Sequence, residues 1–134
     1  MNQLKVRVAL AAALVSLVGC GGASEPNDAT GLKVLRTMFE RAHVPAKIIS
    51  FKKTMGRAAK TPDGEVYEYW YESDVQFPEG FEAKCAGEKE RGACALLGVI
   101  SDQTFKKNEV LKSEGSLHFA KSEKGWVGED DNAY

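Results

Sequence analysis

The sequence predicts an α+β fold: one N-terminal amphipathic helix packed on a four- to five-stranded antiparallel sheet. Three observations predict it. Leu32, Leu35, Met38, Phe39 and Ala42 fall on one helical face, with Lys33, Arg36, Glu40 and Arg41 elsewhere. Glu65 to Phe77 alternates with period two, placing Tyr67, Tyr69, Tyr71, Val75 and Phe77 on one side. Thr61-Pro62-Asp63-Gly64 and Phe77-Pro78-Glu79-Gly80 are turns, in which Pro presets one φ and Gly takes the left-handed position. The chain of 134 residues is about one domain's worth, enough for one core without a metal.

The elements justify themselves in order. Residues 1–19 read as a signal peptide: Lys5 and Arg7 form a positive start, and Val8 to Val18 is apolar apart from Ser16. As a helix that run spans ~16 Å, about half a bilayer core. Residues 20–30 hold no large apolar side chain and read as a flexible tether, leaving residues 31–134 as the single domain. The helix starts near Gly31 with Asp28 or Thr30 as its cap, and Pro45 ends it. Lys47 to Met55 reads as a strand with Ile49, Phe51 and Met55 on one face. Ala95 to Ile100 reads as a short buried strand by its length. Val110 to Ala120 alternates through Leu111, Leu117 and Phe119. Gly125-Trp126-Val127 starts a last strand, and Asp130 to Tyr134 reads as a frayed acidic end.

Leu17-Val18-Gly19-Cys20 closes the apolar run. These four residues resemble the lipobox of bacterial lipoproteins. The resemblance implies cleavage before Cys20, a diacylglyceryl thioether on its sulfur and a palmitate-type acyl chain on its new N-terminus. Two or more acyl chains anchor stably where one does not. It implies a lipid-anchored protein of the bacterial cell envelope. Gly21 in place of an Asp after the lipidated residue resembles sorting to an outer membrane where one exists.

The remaining cysteines, Cys85 and Cys94, flank a polar loop and read as a structural disulfide in an oxidising compartment. A redox couple or a metal pair is the alternative, against which stand the missing C-x-x-C spacing and the lack of a nearby His or third Cys. His43 belongs at the helix end and His118 on the outward side of its strand. With 18 basic and 19 acidic side chains the formal charge is −1, which argues against a nucleic-acid partner. No nucleophile elbow, zinc-protease, phosphate-loop or dinucleotide motif occurs in the sequence, and the reading is of a non-enzyme without cofactor or metal.

Glu68, Trp70, Glu72 and Asp74 share the outward face of the aromatic strand and form the candidate binding face. A Trp among acids on a wet face marks either a partner or a covering segment of the chain itself. Phe51 to Gly56, Tyr67 to Glu72, Phe77, Gly115, Phe119 and Glu123 to Trp126 form a spaced pattern similar to that of small exported bacterial proteins of unknown function, and the layout is analogous to cystatin-like and NTF2-like folds. The function expected is a lipid-anchored module that binds or inhibits another envelope protein. The alternative is a small NTF2-like ligand-binding protein or enzyme, with a pocket between helix and sheet lined by Tyr67, Tyr69 and Tyr71.

Overall fold

The computed structural model describes residues 24–87 and 91–134. The chain is α+β, with a four-stranded antiparallel sheet, a separate two-stranded sheet and two helices. Helix α1 is Asp28–Arg41. Strands β1, Lys47–Thr61, and β2, Gly64–Phe77, form a long hairpin. Strand β3 is Phe81–Ala83, helix α2 Arg91–Leu97, and strand β4 Gln103–Phe105. Strands β5, Glu109–Ser122, and β6, Gly125–Val127, form the second hairpin. The main sheet runs β1-β2-β5-β6, and β3 pairs with β4. The leader, the lipobox and Cys20 lie outside the described residues. Among those described, no helix is long and apolar enough to cross a membrane.

Helix α1 starts earlier than its apolar stripe suggests. Asn27, not Asp28 or Thr30, is the cap: its Oδ1 accepts from the Thr30 N–H at 2.9 Å. The segment before it is docked rather than free. Pro26 is buried, and its carbonyl accepts from Lys53 Nζ at 2.8 Å. The Asn27 carbonyl accepts from the Tyr69 hydroxyl at 2.8 Å. The tether expected over residues 20–30 therefore gives way to ordered chain by Glu25, because buried phenols need acceptors and this segment supplies them. The helix buries Val34, Leu35 and Phe39.

The alternation of β2 is borne out by burial. Tyr67, Tyr69, Tyr71, Ser73, Val75 and Phe77 are all buried, and the intervening residues are not. Strand β1 departs from its simple reading through two bulges, where Ile49 and Thr54 are extra residues against β2. Each bulge flips the facing of the residues beyond it. Ile48 and Phe51 pack on the core, while Ile49 and Met55 are exposed. Grouping Ile49, Phe51 and Met55 on one face is thus corrected by the register.

The segment Ala95 to Ile100, expected to be a strand, is the end of α2 and its exit. Gly98 is the reason the helix stops there: its φ is +71°, its N–H donates to the Ala95 carbonyl, and the Val99 N–H donates to that of Cys94. Cys94 and Leu97 face the core, and Cys85 is bonded to Cys94 with Cα atoms 5.7 Å apart. The small β3–β4 sheet closes one end through stacked Phe77, Phe81 and Phe105, with Phe77 and Phe105 centroids 4.2 Å apart.

The C-terminus is not frayed. The Trp126 N–H donates to the Tyr134 carbonyl at 3.0 Å, and the Tyr134 N–H donates back at 2.8 Å. The Asp130 carboxylate is 1% exposed and accepts from the Tyr134 hydroxyl and from the Asn132 amide. Burial pushes that carboxyl up, but these hydrogen bonds outweigh it and hold it below the usual range.

Candidate functional site

Both helices pack on the tyrosine side of the main sheet. The Ser113 hydroxyl donates to the Leu97 carbonyl of α2, and Phe51, on the same side, stacks on Tyr71 with centroids 5.1 Å apart. Among the described residues no helix covers the other side. Register assembles it from rows across β1, β2 and β5: Met55–Trp70–Ser116, Arg57–Glu68–His118, Lys52–Glu72–Glu114 and Ser50–Asp74–Lys112. Residues in such rows are direct neighbours on one face. The candidate residues Glu68, Trp70, Glu72 and Asp74 thus share one surface.

The chemistry of that surface differs from its sequence impression. The acids of β2 are answered by neighbouring strands. Arg57 donates to Glu68 Oε2 through Nε at 3.1 Å and Nη2 at 2.5 Å, and the Ser50 hydroxyl donates to Asp74 at 2.8 Å. Lys52 stands opposite Glu72, and Lys112 opposite Asp74. The face is a mixed-charge ladder, in which Glu72 has Lys52 on one side and Glu114 on the other. Among the described residues no cluster of His, Cys, Asp and Glu is arranged to hold a metal.

Trp70 is half-buried, and Met55 beside it is 56% exposed. Helix α2, which carries Cys94, packs on the opposite side, so it does not cover the indole. Sequence reasoning missed Met55 as a companion of Trp70, because the Thr54 bulge that turns it outward has no signature in composition.

On the helix side the three tyrosines do not line an enclosed pocket. Tyr67, Tyr69 and Tyr71 are at most 3% exposed and are packed by Phe51, Phe119 and Trp126. The Tyr67 hydroxyl accepts from Lys53 Nζ at 2.7 Å, and the Tyr69 hydroxyl donates to Asn27. Burial, with Asp28 nearby, pushes the Tyr69 phenol well above its ordinary range. Trp126 is core.

A different concavity exists. An open groove of about 700 Å³ lies between the C-terminal half of α1, helix α2 and the β5 edge, lined by Met38, Leu96, Tyr71, Leu117, His118 and Glu129, among others. Tyr71 reaches it across Gly115, where any side chain would overlap the phenol. Burial and the Glu129 carboxylate push the Tyr71 phenol up to about 12.

Comparisons with protein-family models, with curated proteins and with solved structures find no match.

Proposed function

We propose that the protein is a lipid-anchored module of the bacterial cell envelope, without catalytic activity, that binds another envelope protein through the solvent side of its sheet. Trp70 and Met55 carry the reading: adjacent in register, at the centre of a face that neither helix covers, and bordered by the Arg57–Glu68 ion pair. Aromatic residues, Met and Arg inside a polar rim are the composition of interface centres. The anchor rests on Leu17-Val18-Gly19-Cys20 and the apolar run before it.

Two experiments test the two parts. In bacterial cells, metabolic labelling with a tagged fatty acid should mark the wild type and not Cys20→Ser; equal labelling removes the anchor. A photo-crosslinking residue placed at Met55 should give one discrete adduct, and the same residue at Lys33, exposed on α1, should not. Identical adducts at both places, or none at Met55, would overturn the binding face.

A further inference from the structure

We infer that the groove beside β5 accepts an extended peptide segment of another protein as an added strand. This does not rest on the sheet-face reading, since the groove lies on the helix side. The argument starts from the backbone. The His118 N–H turns away from β2 and donates to Glu129 Oε2 at 3.2 Å, so the Glu129 side chain stands where a neighbouring strand's carbonyl would be. Peptide groups alternate along a strand, so the N–H and C=O of Ser116 point to the same side. Pairing with β6 ends at Ala120, and no described backbone group bonds to Ser116 on that side. An unpaired N–H and C=O two residues beyond a capped position form the template to which an extended peptide adds.

The groove supplies what a bare edge lacks. A residue paired with Ser116 would project its own side chain onto the solvent face, beside Ser116. The residues before and after it would project into the groove, against Leu117 and between Met38 on α1 and Leu96 on α2. The segment accommodated is therefore apolar-x-apolar. Tyr71 gives a second, independent pointer. It is 3% exposed overall and lines the groove, and its hydroxyl, which makes no hydrogen bond to the described residues, is not sealed from solvent. With its phenol pushed up to about 12 it remains a donor at neutral pH, suited to a peptide carbonyl. Gly98, at the end of α2, lies against the Glu114 carbonyl and closes the edge beyond that point. A short segment fits, and a long strand from a second copy of the chain does not.

The test is selection of random heptapeptides displayed on phage against the full chain, followed by the same peptides on Ala95→Arg. Ala95 is exposed on α2 and lines the groove, so this variant obstructs it without touching the core; its melting temperature, measured alongside, should match wild type. Enriched peptides should carry apolar residues two apart. They should bind Ala95→Arg at least about tenfold more weakly. Methylating the backbone nitrogen of the residue between the apolar pair should also weaken them about tenfold, the equivalent of one lost hydrogen bond. No enrichment, enrichment indifferent to Ala95→Arg, or binding unchanged by N-methylation would each overturn the inference.

Discussion

The two sides of the main sheet are built by the same three long strands, yet they keep their polar atoms in opposite ways. On the helix side the polar atoms sit at the tips of tyrosines, and the hydroxyls of Tyr67 and Tyr69 reach the rim of the core to meet Lys53 and the chain before α1. On the solvent side the polar atoms sit on Glu68, Asp74, Arg57 and Ser50 and meet one another across strands. The difference teaches that alternation decides which residues share a side, while the landing place of the helices decides which side becomes core. It also separates energetic weight: the helix side holds the buried rings, and the solvent side is the one proposed above for recognition.

The largest expected effect tests the core side. Tyr69→Ala removes a fully buried ring from between Phe51 and Phe119 and should cost about 3–5 kcal/mol in urea unfolding. A cost below about 1 kcal/mol would end the distinction between the sides. Next comes the C-terminal clasp that closes the core over Trp126. Asp130→Asn weakens two hydrogen bonds to a charged acceptor and should cost about 1–3 kcal/mol. Because the Asp130 carboxyl is held low in the folded chain, its stabilisation is fully present above the ordinary Asp value of about 4 and is lost as pH falls through the lowered one. Melting temperature against pH should therefore fall less steeply on the acid side in Asp130→Asn than in wild type.

Trp70→Ala should be milder in stability, about 1–2 kcal/mol for a half-buried ring, while weakening partner binding by about 2 kcal/mol or more. Loss of folding on the scale of Tyr69→Ala would make Trp70 a core residue and remove the recognition surface. The smallest effect is that of the ion pair bordering it. A double-mutant cycle on Arg57 and Glu68, whose Arg side chain is 67% exposed, should return about 0.2–1 kcal/mol, diminishing with salt.

Strand β2 was legible because a half-buried strand writes period two into its sequence, and the Cys85–Cys94 bond because the two cysteines flank one polar stretch, although Cys94 itself sits in helix α2 and not beside a loop. Helix α2 was not, since the apolar and small residues before Gly98 fit a strand as well as a helix, and only the positive φ of Gly98 decides. Strand β1 misled because bulges at Ile49 and Thr54 break the period without altering composition. The acids of β2 looked like a charged face because the bases that answer them, Arg57 and Lys112, lie on strands whose register no local pattern reveals. Asp130 to Tyr134 looked solvated because a buried carboxylate leaves no trace in sequence until its tyrosine donor is placed against it.

The docking of Glu25, Pro26 and Asn27 has a mechanical meaning. If the chain is held to a membrane at Cys20, a pull on the domain enters at this segment. It is borne first by Lys53 Nζ, which grips the Pro26 carbonyl, and by the Tyr69 phenol, which grips that of Asn27. Those two residues sit on the neighbouring strands β1 and β2, so the load is delivered to the long hairpin before it reaches α1. Traction would shear several hydrogen bonds together instead of unzipping the helix one turn at a time.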